Sequence, residues 1–224
     1  ATPVGIDQTN PLSVDLVDNC YIAVCYQTMS KIASLLNKAD DSRGYKAKYD
    51  ALTKRIQETF YDAKGHTYAS GTQIDLVYPM LAGVTPDNLK ETVLKTLYEV
   101  TANRFQGHLA TGLVGIPVLT EWAVKNGQAE WMYQMLKKRD YPGYLYMLDN
   151  GATTTWEHWN GERSHIHNCY NGIGAWFYQA LAGIMPDESK PGYKHIWIKP
   201  QVVNDISWVQ ASKDTPYGLL KVRW

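Results

Sequence analysis

The chain is 224 residues long, enough for one good core with a small appendage. Its 45% hydrophobic and 20% charged residues describe an ordinary globular protein. Lys plus Arg number 22 and Asp plus Glu number 22, so no basic excess is present to hold nucleic acid or an anionic membrane, and no apolar run is long enough to span a bilayer.

The first three quarters of the chain predict short helices separated by aromatic and glycine-rich loops. Ile22, Cys25, Met29, Ile32 and Leu36 recur at three- and four-residue spacing and predict one inward stripe. After a polar turn predicted at Asp40–Gly44, Tyr45, Tyr49, Leu52, Ile56 and Phe60 repeat the pattern. A short third helix is expected from Thr72 to Leu81. A fourth follows Thr85–Pro86, read as an N-cap and a proline at the first helical position, with Leu89, Val93, Leu97 and Val100 inward.

A fifth helix is expected from about Gly112 to Asn126, stopped by Gly127, with Pro117 placed to kink it. A sixth runs from Gln128 to about Arg139, turning Ala129, Met132, Tyr133 and Leu136 inward. A seventh spans about Tyr170 to Ala182. Helices of this length with long loops between them predict part of an α/α toroid, each burying its stripe against neighbours. Past Pro186 the pattern alternates, and strands are expected at Tyr193–Lys199, Ile206–Ser212 and Leu219–Trp224, with a turn at Asp214–Gly218. They predict the start of an antiparallel β-sandwich. The start at Ala1 rather than Met, and the end at Trp224 inside a strand, read as cuts from a longer polypeptide.

Sixteen Tyr and eight Trp against three Phe suit sugar recognition, since both rings offer a flat apolar face with a polar edge; aromatic-rich packing is the alternative. Cys20, Cys25 and Cys169 are an odd set without a C-x-x-C pair and predict free, mostly buried thiols, leaving the compartment open. Reactive side chains concentrate between Tyr141 and Tyr170. There Glu157 stands between Trp156 and His158, with Trp159 beyond, and desolvation among indoles predicts a raised pKa and a better base. The competing reading is a structural Glu anchored by an arginine. His158, His165 and His167 lie close in sequence, but their spacing fits no zinc motif, and no metal is expected. A sugar hydroxyl is the better partner for His167, while a structural role is the alternative for His108 and His165.

Gly151–Trp159 (GATTTWEHW) resembles the G-A-T-T-x-W-E-x-W segment of bacterial α-L-rhamnosidases. Gly107–Gly112 resembles that family's G-x-H-L-x-T-G block with one residue fewer. His167–Tyr178 resembles its H-x-x-F-G-S-V-x-x-W-L-Y helix, and the segments Leu181–Ile184, Pro191–Lys194 and Ser212–Gly218 resemble its exit into a C-terminal sheet. The ordered blocks cover nearly the whole chain.

The resemblance implies residues 1–185 as the C-terminal part of an (α/α)6 barrel and 186–224 as the start of a β-sandwich. It also implies inverting hydrolysis of terminal α-L-rhamnose from a rhamnose-containing carbohydrate, by two carboxylates and no cofactor. Glu157 takes the place of the family's general base and His167 that of its sugar-binding histidine, with Trp156, Trp159, Tyr144 and His108 as further substrate-binding candidates. Tyr144 stands where the family has tryptophan, and the loop from Glu157 to His167 is short. The family's acidic D-x-x-R-x-E-R segment, which supplies the general acid, has no counterpart here and is expected upstream of Ala1. Another toroidal glycosidase or lyase, or a non-catalytic sugar-binding relative, are the alternatives. Oligomeric state has no signature in the sequence.

Overall fold

The computed structural model describes residues 10–168 and 170–224, so Cys169 lies outside the described residues. These form two compact units, residues 10–106 with 110–119, and residues 107–109 with 120–224.

The first unit opens with α1 (Pro11–Leu35) and α2 (Ala39–Phe60). Asn10 caps α1, its side-chain oxygen accepting from Leu12 N at 3.0 Å, and Pro11 occupies a first-turn position where a missing N–H leaves nothing unpaired. The predicted turn at Asp40–Gly44 is instead inside α2. Asn37, at φ 58°, makes the reversal, and Asp40 and Asp41 sit in the first turn, where the helix dipole favours negative charge. Ser30 and Ser42 tie the pair together reciprocally, each hydroxyl donating to the other's carbonyl at 2.9 and 3.0 Å.

The stripe predicted for α1 is a second correction. Ile22, Met29, Ile32 and Leu36 are exposed, and α1 buries Ser13, Leu16, Val17, Cys20, Ala23 and Ala33. Both sets have helical spacing, and the smaller side chains allow close approach. On α2 the predicted face holds, with Ile56 buried and Tyr45, Tyr49, Leu52 and Phe60 partly so.

A two-residue hairpin, β1 (Tyr61–Asp62) with β2 (Thr67–Tyr68), leads to α3 (Gln73–Leu81). Thr72 and Asp75 form a capping box: Thr72 Oγ1 accepts from Asp75 N at 3.3 Å and Asp75 Oδ2 from Thr72 N at 3.2 Å. Helix α4 (Asp87–Glu99) is capped at Pro86, one residue beyond the predicted position, and buries Val93 and Leu97 as expected. It continues into a π-helical turn, Val100–Arg104.

Helix α5 (Gly115–Lys125) carries Pro117 in its first turn, where no i−4 bond is lost, so the predicted kink has no cause. Gly127, at φ 69°, ends it, and α6 (Ala129–Leu136) follows, starting one residue later and ending about three earlier than expected. The predicted loop after it contains α7 (Tyr144–Asp149). The predicted seventh helix is a 3-10 turn, Asn171–Ile173, running into a π-helical segment, Trp176–Leu181.

Strands β3 (Ile184–Pro186) and β4 (Ile196–Ile198) pair antiparallel, Ile184 opposite Ile198. Strands β5 (Gln210–Thr215) and β6 (Gly218–Arg223) form a hairpin with Thr215 opposite Gly218. Among the described residues these are separate two-stranded ladders rather than three consecutive partners, and β5 starts four residues later than predicted. The predicted first strand pairs with Ile184–Pro186, three residues too short to alternate visibly. Gln201 pins this end to the helices of the same unit: its amide donates to Val124 O at 2.8 Å and accepts from Ala129 N at 3.1 Å. Trp224 Nε1 donates to Leu181 O at 2.8 Å.

Candidate active site

The loop from Tyr141 to Tyr170 lies within the second unit. Two of its arms run antiparallel. Glu157 N donates to Ser164 O at 2.8 Å and His167 N to Thr155 O at 3.0 Å. Side chains complete the ladder. Thr154 Oγ1 donates to His165 O, Thr155 Oγ1 donates to His167 O, and Ser164 N donates to Glu157 Oε2 at 3.3 Å. A chain rich in Thr and Ser can thus hold an irregular hairpin together without regular strand geometry.

The two indoles stiffen this hairpin from below. Trp156 is buried and stacks on His165, centroids 4.7 Å apart and planes 20° off parallel. Gly161, at φ 78°, lies so close that a Cβ there would come within 2.9 Å of the Trp156 ring, and the backbone conformation itself favours glycine. Trp159, also buried, stacks on Tyr170 at 4.0 Å and meets Tyr144 edge-on at 5.1 Å. The Tyr144 hydroxyl donates to Tyr170 O at 2.7 Å, and burial drives its pKa far up, so it stays a neutral donor.

Glu157 carries the charge of the site. Its side chain is 24% exposed, with Arg163 Nη1 at 3.5 Å and His158 Nε2 at 3.8 Å from Oε1, and His167 Nδ1 at 3.8 Å from Oε2. The expected rise in its pKa is not observed. The Ser164 N–H on the carboxylate holds the value below the ordinary glutamate range, with His167 and Arg163 adding to the effect and outweighing desolvation. The indoles spend their faces on His165 and Tyr170, so donors rather than apolar rings decide the carboxyl's protonation.

His167 links this carboxylate to an open groove of about 610 Å³ lined by Thr154, Thr155, Ile166, His167, Asn168 and Asn171. Of the sequence-derived candidates, Glu157 and His167 are brought together, while Tyr144 and Trp159 pack as a pair beside Tyr170. His108 is buried, with Nδ1 2.8 Å from Pro142 O and Nε2 3.2 Å from Asp140 Oδ2. The carbonyl can only accept, so Nδ1 bears that proton, and both ring nitrogens already have protein partners. Arg163, Ser164, Thr154, Thr155 and Asn171 were not among the candidates. The Gly161-Glu162-Arg163 segment, beginning four residues after the carboxylate, was the one signal that could have drawn attention to Arg163.

Among the described residues no three His, Cys, Asp or Glu side chains converge as metal ligands would, and no helix is long and apolar enough to cross a membrane.

A largely helical chain that passes into antiparallel strand pairs, with one carboxylate in a histidine-rich loop beside a groove, is consistent with part of a helical-hairpin protein leading into a β C-terminal segment. Comparison with known proteins agrees on the family and the fold. The bacterial alpha-L-rhamnosidase 6 hairpin glycosidase domain matches residues 2–181, and the bacterial alpha-L-rhamnosidase C-terminal domain matches residues 183–224. The chain belongs to the bacterial α-L-rhamnosidase family.

An alpha-L-rhamnosidase from Formosa agariphila is 29% identical over 227 residues, covering 95% of this chain and 24% of its own. One from Alteromonas sp. is 29% identical over 225 residues, covering 93% and 24%. The solved alpha-L-rhamnosidase of Dictyoglumus thermophilum superposes with a TM-score of 0.85 at 31% identity, covering 92% of this chain and 24% of that one. The Streptomyces avermitilis enzyme, solved with L-rhamnose, gives 0.86 at 25% identity, covering 94% and 21%. The chain therefore spans about a quarter of the length of the relatives it matches.

Proposed function

We propose that this chain is part of an inverting α-L-rhamnosidase, in which residues 1–185 complete a helical barrel, residues 186–224 begin a β-sandwich, and Glu157 activates the hydrolytic water. Glu157 takes a proton from a water that attacks the anomeric carbon on the face opposite the leaving group. A second carboxyl, expected in the acidic segment upstream of these residues, protonates the departing oxygen. The two stand about 6.5–9.5 Å apart in inverting enzymes, leaving room for the water. His167 offers a hydrogen bond to a rhamnose hydroxyl, while Tyr144, Trp156 and Trp159 pack behind the loop that carries it. The substrate is a rhamnose-containing carbohydrate.

One observation carries this reading: the Glu157 carboxylate stands 3.8 Å from His167, which lines the groove beside it. The contact with Arg163 favours a second reading, in which Glu157 only anchors the loop.

Glu157→Gln in the full-length protein separates them. As a base, it loses at least about a hundredfold in kcat on an aryl α-L-rhamnoside. Azide, which attacks without losing a proton, then restores turnover in Glu157→Ala and yields the β-azide. Unchanged turnover with a lowered Tm leaves the anchor reading alone standing.

A further inference from the structure

Arg163 lies at the tip of the irregular hairpin, in a left-handed conformation at φ 63° that an ordinary side chain seldom adopts. That bend does two things at once. It turns Ser164 N onto Glu157 Oε2 at 3.3 Å, and it sends the guanidinium back over the carboxylate to within 3.5 Å of Oε1. The two oxygens of Glu157 consequently have different neighbours: Arg163 and His158 on Oε1, the Ser164 N–H and His167 on Oε2. The charged and titratable groups facing Glu157 are Arg163, His158 and His167. Of these only Arg163 is positive at every working pH.

An exposed ion pair of this kind adds little to stability, because solvent and salt screen it and two long side chains must be ordered. Arg163 is 73% exposed, so its bend and its aim at the carboxylate are not accounted for by packing. A glutamate has three rotatable bonds, and a base must present one lone pair to one water. Fixing Oε1 from outside leaves the Oε2 edge, on the groove side with His167, as the defined edge.

We propose that Arg163 is a positioning residue for the hydrolytic reaction, holding the Glu157 carboxylate in one orientation so that its His167 edge meets the attacking water. The proposal rests on the assignment of Glu157 as the base. It gives Arg163 no contact with the sugar, so its effects fall on kcat and on the protonation of Glu157 rather than on substrate affinity.

The test compares wild type, Arg163→Met, Arg163→Lys and Glu157→Gln in the full-length protein, reading kcat, KM, the pH–rate profile and Tm. Arg163→Met is expected to lower kcat about tenfold through loss of alignment while leaving KM within about twofold. Without the guanidinium, Glu157 protonates more readily, so the acid limb of the profile moves to higher pH; Tm stays within about 2 °C of wild type. Arg163→Lys keeps the charge but not the fork, so it retains the limb and recovers only part of kcat. In wild type, 1 M salt shortens the Debye length to about 3 Å and moves the limb in the same direction as Arg163→Met does.

An Arg163→Met enzyme with wild-type kcat and an unmoved limb overturns the proposal, and so does one whose kcat falls only in step with Tm. Either result, with Glu157→Gln inactive, leaves the base assignment standing. Wild-type turnover in Glu157→Gln removes both.

Discussion

His167 Nδ1 stands 3.8 Å from Glu157 Oε2, and the same imidazole forms part of the wall of the groove beside it. One ring thus touches both the carboxylate and the space a ligand would enter. Their proximity follows from the paired arms of the loop, in which His167 N bonds Thr155 O and Glu157 N bonds Ser164 O.

His167→Ala is expected to raise KM for an aryl α-L-rhamnoside about tenfold, the loss of one hydrogen bond to substrate. It also removes a neighbour that lowers the Glu157 pKa, so the acid limb moves to higher pH. In wild type that limb is expected below the ordinary glutamate range, with activity falling as pH drops through it. The stability that these donors confer follows the same sign: it is present above the unfolded-state value and lost as pH falls through the folded one. A variant that loses Tm but keeps KM would make His167 structural.

Asp75 offers a test of the fold. It is fully buried, accepting from Ser13 Oγ at 2.6 Å and Thr72 N at 3.2 Å, and desolvation raises its pKa despite those bonds. Asp75→Ala strands both donors and opens the capping box, which should cost about 2 kcal/mol in denaturant unfolding. Because the folded-state value is raised, ionising Asp75 opposes folding. The wild type should therefore lose stability as pH rises from the unfolded carboxyl value through the folded one, and Asp75→Ala should flatten that part of the stability curve.

Gly183, at φ 69°, joins the π-helical segment to β3, and Lys199 N donates to its carbonyl at 2.9 Å. A Cβ there would lie 2.2 Å from Pro200 N and 2.3 Å from Lys199 C, backbone atoms with no room to rotate away. Gly183→Ala should destabilise by about 3 kcal/mol, combining left-handed strain with overpacking. Thermal unfolding at wild-type Tm would show that the β3–β4 pair separates readily from the helix end.

Much of this was legible beforehand. The stripes on α2 and α4 were read correctly because each helix has one dominant apolar face. The turn between β5 and β6 was marked by Pro216 and Gly218, and the ordered motifs around Glu157 identified the family. The errors share a cause. In α1 two sets of residues have helical spacing, and periodicity within one helix cannot show which set a neighbour covers. The strand order failed likewise: Ile184–Pro186 is too short to show a pattern, and its partner lies outside any local window.

The sequence by itself therefore determined the helix-then-strand order and the family, and it singled out Glu157 as the candidate acid, since each depends on residues near one another along the chain. Only the tertiary structure decided the electrostatic state of that acid. Aromatic neighbours in sequence suggested a desolvated carboxyl with raised pKa, but Trp156 and Trp159 face His165 and Tyr170, and a Ser164 amide with Arg163 and His167 faces the carboxylate. A pKa responds to which groups point at the charge, and that direction is settled by the fold of the loop.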